Sequence, residues 1–336
     1  MGYYKYMVCV SCMTYNQASF IIDAMNGFCV QETTFPFVCT IVDDASTDGE
    51  AEVIKRYLAD YFDLKNSAVT RCEETDFYTL NFAQHKTNKN CFFAVLFLKE
   101  NHYQIKKSKT PYLVEWNNNA KYYAICEGDD YWSDPNKLQK QVGILESDQR
   151  IGLCYAKAKV YDERKKTFSD EIKGHEFESF EQLLTWNYIP TLTVCMRTDM
   201  RNRYLIEKKS WEEAEKWKMG DYPMWLWFCL NSKIVFFDEI VAVYRVSSNT
   251  VSRQNSLSGQ EAFLDSTYSI RLHFAKMGKV NDELLKRIKS DYAKNKAFLY
   301  IYNGEYQKSK AMIKEVPFFR RGRIWLSLIK NRCFLK

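Results

Sequence analysis

The chain has 336 residues, 46% hydrophobic and 27% charged, which is a folded composition with enough length to bury a full core. Lys plus Arg number 48 against 42 Asp plus Glu, and the resulting +6 is too modest to mark a nucleic-acid binder by itself. The longest apolar runs, 91–98 and 224–230, fall far short of the roughly 20 residues that a bilayer span needs. Residues 1–6 lead straight into a strand-like segment without a small-residue cleavage pattern, so no signal peptide and a cytoplasmic location are expected.

The 11 cysteines are odd in number and scattered through apolar stretches, as Cys39, Cys91, Cys126, Cys154 and Cys229, which predicts buried free thiols in a reducing compartment. Cys9 and Cys12 form a CxxC inside a strand-like run, with no second pair and no downstream histidine partner, so the spacing reads as structure rather than as a zinc or redox centre.

In chain order, 6–13 reads as a buried strand, broken by Tyr15-Asn16-Gln17 before a helical stretch over 18–28. The pattern returns as a strand over 37–42 that ends in Asp43-Asp44-Ala45-Ser46-Thr47-Asp48-Gly49, followed by a helix over 51–61. Two βα units in succession predict a parallel sheet with helices on its faces. Further strands are expected at 68–72 and 92–98, with the polar stretch between them left unassigned. A strand over 122–126 ends in Glu127-Gly128-Asp129-Asp130, and Asp134-Pro135 opens a helix whose face carries Leu138, Val142 and Leu145. Strands follow over 152–160 and 191–197, around a polar stretch at 162–178, then over 233–237 and 240–245. Residues 247–258 read as a loop, and the chain from about 262 as helical.

In an open parallel sheet, ligands sit beyond the carboxyl ends of the strands. Asp43, Asp44, Asp129 and Asp130 all fall at such ends, and no glycine-rich phosphate loop accompanies them. A divalent cation would take that loop's place, since paired carboxylates suit magnesium or manganese and the ion neutralises a diphosphate.

Val10-Ser11-Cys12-Met13-Thr14-Tyr15-Asn16, then Ile41-Val42-Asp43-Asp44-Ala45-Ser46-Thr47-Asp48, then Glu127-Gly128-Asp129-Asp130-Tyr131-Trp132 resemble, in order and place, the motifs of family 2 glycosyltransferases with the GT-A fold, of the bacterial surface-polysaccharide type. The resemblance implies an α/β, GT-A nucleotide-diphospho-sugar transferase fold over 1–250, with a nucleotide-binding half (1–130), an acceptor-binding half (131–250) and a helical extension over 251–336. It also implies that Thr14 and Tyr15 line the nucleotide pocket, that Asp44 accepts a hydrogen bond from the pyrimidine with Asp43 supporting the loop, and that Asp130 and then Asp129 hold Mn2+ or Mg2+ on the diphosphate. Gly220-Asp221-Tyr222-Pro223 matches the place of the family's base, making Asp221 the expected catalytic residue of an inverting transfer. Looser matches make His102, Arg245 and Ser248 candidate donor or diphosphate contacts, with Lys106, Lys107 and Lys109 nearby. The implied donor is a UDP- or dTDP-sugar and the acceptor a glycan or lipid-linked oligosaccharide.

Trp211, Trp217, Trp225 and Trp227 read either as core or as a sugar-stacking platform. Residues 318–336 carry six basic residues and no acid, and Ile324, Trp325, Leu328 and Ile329 would share one helix face, which reads either as packing back onto the domain or as lying on a membrane surface. The rival reading, a non-catalytic nucleic-acid or glycan binding module, conflicts with acidic strand ends that would repel a phosphate backbone.

Overall fold

The computed structural model describes residues 4–247 and 256–333, with no side chains beyond 330. In chain order the strands and helices are β1 (Tyr6–Thr14), α1 (Ile21–Cys29), β2 (Phe37–Asp43), α2 (Glu50–Tyr61), β3 (Phe62–Asp63), β4 (Arg71–Glu74), β5 (Tyr78–His85), β6 (Cys91–Leu98), α3 (Thr110–Asn118) and β7 (Ala120–Ile125). They continue as β8 (Tyr131–Trp132), α4 (Lys137–Ser147), β9 (Ile151–Asp162), β10 (Thr167–Lys173), α5 (Phe180–Thr185), β11 (Cys195–Arg197), α6 (Thr198–Lys208), α7 (Asp221–Asn231), β12 (Lys233–Val246), α8 (Leu257–Met277), α9 (Asp282–Tyr302), α10 (Tyr306–Lys314) and α11 (Gly322–Cys333).

The chain forms two compact units. The first comprises Met1–Glu176, Tyr188–Arg203 and Asn231–Ser248 and holds one sheet in the order β3-β5-β6-β2-β1-β7-β11-β9-β12-β8. Its middle, β6-β2-β1-β7, is parallel, as βα units require, while β5, β11 and β8 run antiparallel to their neighbours. Alternate residues of β1 face opposite sides. Val8, Val10 and Cys12 join Phe28 of α1, Ile54 of α2 and Leu138 of α4 in one core, whereas Cys9 Sγ meets Asn117 Oδ1 of α3 at 3.5 Å on the other face. The two thiols of the CxxC therefore diverge, and every cysteine up to Cys229 is a free thiol.

Several expectations need correcting. Residues 67–69 are a turn, and the strand begins only at Arg71, where pairing with Phe82 of β5 starts. The unassigned stretch contains β5, paired along its length with β6. The polar stretch after β9 folds back as β10, its turn held by Asp162 Oδ1 accepting from the N–H groups of Arg164 and Lys165. Thr191–Thr193 is a 3-10 turn rather than a strand, because the Pro190 carbonyl accepts from both the N–H and the hydroxyl of Thr193. The two strands expected over 233–245 are one, β12, bulged against β9 between Phe237 and Ala242.

The second unit comprises Phe177–Asn187, Tyr204–Leu230 and Asn249–Lys336. Ala297 and Ile301 of α9, Ile313 of α10 and Ile324 and Leu328 of α11 form one of its cores. Trp325 and Ile329, expected on the same face as Ile324 and Leu328, point outward and are 41% and 57% exposed. Among the described residues no helix is long and apolar enough to cross a membrane.

Candidate active site

The parallel strands end at the same edge of the first unit, and the loops after β1 and β2 are stitched together there. Glu50, the first residue of α2, is fully buried and accepts from Thr14 Oγ1, from the Gln17 N–H at 3.0 Å and from Ser46 Oγ at 2.8 Å. Asn16 Oδ1 accepts from the Thr47 N–H at 2.8 Å, and Asp43 Oδ1 from the Ser46 N–H at 3.0 Å. Asn16 (φ 53°) and Ala45 (φ 60°) both hold left-handed backbone, and for alanine that is strain that the surrounding hydrogen bonds must maintain. Burial raises the carboxyl pKa values of Glu50 and Asp43 despite these donors. Thr14 is buried in this network and Tyr15 is exposed above it.

The segment after β7 lies directly on β1. The N–H groups of Cys126 and Gly128 donate to Ser11 O and Met13 O, and a β-carbon at Gly128 would stand 2.5 Å from Gln17 Oε1 and overlap Thr14 as well. Only glycine allows that approach. Asp130 follows, 5% exposed, with Oδ1 accepting from the Arg245 N–H at 2.7 Å. Burial first, then the charges of Asp129 and Glu127, push the Asp130 carboxyl well above its usual range, and burial raises Asp129 too. Like carboxylates crowded at a strand end are relieved by a cation. The donors are hard oxygens without histidine or thiolate, and among the described residues no three acidic, histidine or cysteine side chains form a ready cage. The set fits a Mg2+- or Mn2+-type ion that takes one or two carboxylates and completes its shell from phosphate and water.

Arg245 acts through other groups. Its two terminal nitrogens are clasped by Asp23 at 2.7 Å and Glu163 at 2.9 Å, its guanidinium lies over the rings of Phe20 and Tyr131, its buried Nε has no partner among the described residues, and the main chain reaches Asp130. Ser248 lies outside the described residues.

Asp44 is 3% exposed and holds the loop after β6: its oxygens accept from the His102 N–H at 2.8 Å and the Tyr103 N–H at 3.1 Å and pair with Lys109 Nζ at 2.9 Å. The His102 ring is buried against Tyr112, so this residue meets Asp44 through its main chain. Lys107 pairs with Glu100 at 2.9 Å. Beside these groups opens a cavity of about 460 Å³ lined by Met13, Tyr103, Lys106, Lys109, Tyr123 and Arg201, whose positive rim suits an anionic ligand. A larger cavity of about 650 Å³ lies between β12 and the start of α4, but its lysines are already paired, Lys140 with Asp134 and Glu239 and Lys157 with Asp238. Glu50, Gln17 and Arg201 were not anticipated; Glu50 carries a faint signal as an acid in a helix's first turn.

Asp221 belongs to the second unit, where it opens α7 and its Oδ1 accepts from the Tyr222 N–H at 2.7 Å. The Tyr222 hydroxyl in turn donates to the carbonyls of Leu183 and Leu184, anchoring the start of α7 to α5. Trp217, Trp225 and Trp227 are buried and Trp211 half-buried, which makes them core; the strongly exposed tryptophan of this unit is Trp186, at 65%.

Sheet order, flanking helices and the C-terminal helices define an α/β fold of the GT-A nucleotide-diphospho-sugar transferase type. S. aureus TarS superposes with a TM-score of 0.51 at 15% identity, over 95% of this chain and 50% of TarS, so the chain spans half the length of that protein. The mannosyltransferase PcManGT from Pyrobaculum calidifontis, solved with GDP-Man and Mn2+, superposes with a TM-score of 0.51 at 13% identity, over 93% of this chain and 75% of that one. Uncharacterised proteins of Mycobacterium bovis and Mycobacterium tuberculosis are each 26% identical over 299 residues, 82% of this chain and 73% of theirs. No protein-family model matches the chain.

Proposed function

We propose that the protein is a metal-dependent, inverting glycosyltransferase of family 2 that moves a sugar from a UDP- or dTDP-linked donor to a hydroxyl of a glycan or lipid-linked acceptor. The observation that carries this reading is the buried Asp130, fixed by a main-chain donor beside Asp129 at the same sheet edge as Thr14, Asp43 and Asp44. Residues 1–130 are read as the donor half, 131–250 as the acceptor half and 251–336 as the helical extension. The GDP-Man and Mn2+ of PcManGT support a nucleotide donor with a divalent cation.

In this reading the nucleoside lies over the Thr14–Tyr15 turn, Asp44 accepts from the pyrimidine while tying down the loop that carries His102, and Lys106 adds positive charge to the cavity beside them. Asp130 and Asp129 would hold a Mg2+ or Mn2+ ion, which supplies neutralisation of the charge that grows on the departing diphosphate. Asp221 takes the proton of the acceptor hydroxyl as its oxygen attacks the anomeric carbon opposite the diphosphate, and a single displacement of this kind inverts the configuration. Surface-polysaccharide synthesis at the cytoplasmic face of a membrane is the setting that such an acceptor implies.

Calorimetric titration of UDP, dTDP and GDP, with and without manganese, tests the reading. Manganese-dependent binding of one nucleotide is expected, and no binding of any would overturn it. A screen of sugar nucleotides for hydrolysis then identifies the sugar.

A further inference from the structure

The turn between α10 and α11 presents two consecutive phenylalanines to solvent, Phe318 at 85% and Phe319 at 84% exposure. The turn is anchored. Arg320 donates to Ser290 Oγ at 3.1 Å and Asp291 Oδ1 at 2.7 Å on α9, and Arg321 caps the end of α10 by donating to the carbonyls of Val316 at 2.6 Å and Lys314 at 2.9 Å. Both rings are therefore displayed by a turn whose own arginines are already used inward.

The helix that follows also exposes apolar side chains. At about 3.6 residues per turn, Ile324 and Leu328 fall on the buried side, Trp325, Ile329 and Leu326 follow round the outer side, and Lys330 and Arg323 come next. Trp325, Leu326 and Ile329 are exposed at 41%, 62% and 57%, and Lys314, Arg323 and Lys330 are exposed with them. The only acid between 314 and 330 is Glu315, and the sequence adds Arg332 and Lys336 beyond. Exposed apolar area of this extent is uncommon on a surface that faces only water.

We infer that Phe318, Phe319 and the outer face of α11 dock the protein on an anionic lipid surface, the rings entering the acyl boundary while Arg323, Lys330 and Lys314 meet the headgroups. An exposed apolar arc that starts at a tryptophan and is bordered on its far side by cations is the pattern that lies in a bilayer interface. A second copy of the chain is the poorer occupant, since a symmetric contact would bring the same cations towards their own counterparts. The inference deepens the proposed function by adding where its acceptor would be met, and it rests on that reading only for this purpose.

The test is co-sedimentation of the full chain with vesicles of phosphatidylcholine alone and of phosphatidylcholine with about one part in three of phosphatidylglycerol. Binding is expected to the anionic vesicles only, to weaken with salt, and to fall at least roughly tenfold in Phe318→Ser/Phe319→Ser and in Arg323→Ser/Lys330→Ser. Unchanged circular dichroism and melting of both variants exclude misfolding as the cause. No binding by the wild type, or binding that both variants retain, overturns the inference. So does concentration-dependent dimerisation in sedimentation velocity that the phenylalanine variant abolishes. Because no nucleotide is present, a failure here is distinct from a failure of the UDP titration.

Discussion

The main-chain N–H of Arg245 donates to Oδ1 of Asp130 at 2.7 Å while the Arg245 guanidinium is held by Asp23 and Glu163. A residue at the end of β12 thereby fixes the orientation of a carboxylate that follows β7, more than a hundred residues earlier in the chain. The ion pairs do not touch Asp130; they engage the side chain of the residue whose N–H does, and that residue also pairs with Tyr161 of β9.

Asp130→Asn is expected to weaken manganese-dependent UDP binding at least about tenfold, near 1.4 kcal/mol. It should not lower the melting temperature, because burial already opposes the charged carboxylate at this position. Calorimetry and thermal unfolding on the same preparation check both halves, and a large loss of stability with unchanged binding would reverse the assignment.

Arg245→Gln leaves the largely covered Glu163 with Lys166 as its remaining cation, while Asp23, half exposed, recovers water. A destabilisation of about 2 kcal/mol is expected, together with weaker manganese-dependent UDP binding, because the Arg245 N–H is no longer held in place. Arg245→Lys should recover part of the stability through one ion pair. If manganese-dependent binding is unaffected in a folded Arg245→Gln protein, the main-chain linkage has no functional role.

Asp221→Asn should lower turnover by roughly a hundredfold or more, the range for loss of a general base, with UDP affinity kept. Steady-state turnover and calorimetric UDP binding separate the two quantities. Unchanged turnover would remove Asp221 as the base.

Lys137 offers a pH test away from the site. Its ammonium is fully buried, donates to Gln141 Oε1 at 2.7 Å and lies 4.1 Å from the Trp132 ring centre, and burial pushes it down to about 8. Its folded pKa is depressed, so the unfolded chain binds the proton more tightly and wild-type stability gains as pH rises from about 8 towards the ordinary lysine value. Lys137→Met lacks that gain. The stability of wild type relative to Lys137→Met should therefore increase between pH 8 and 10 by an amount on the order of 2 kcal/mol, read from urea unfolding at each pH. Burial raises the neighbouring Cys126, Cys154 and Cys195 thiols, so they stay protonated in both folded proteins over this range and cancel; a constant difference would show that the lysine titrates normally.

What the sequence determined is what adjacent residues determine. β1, β2 and β7 are short runs of branched, aromatic and small apolar residues that stop at polar or acidic ends, and their carboxylates fall at the ligand edge of any parallel sheet, so Asp43, Asp44, Asp129 and Asp130 were legible as a group. β5 and β10 were not legible, because the buried positions of β5 follow no clean alternation and β10 is almost wholly exposed along β9. That Ile324 and Leu328 of α11 turn inward while Trp325 and Ile329 do not was not legible, because periodicity says which residues share an arc and not which part of the arc meets a core. Tertiary structure alone decided that Asp44 ties down the loop carrying His102, that Glu50 joins the loops after β1 and β2, and that Arg245 serves Asp130 through its backbone. Each of these is a hydrogen bond between segments distant in sequence, and a donor finds its acceptor only once the sheet has set the strand ends side by side.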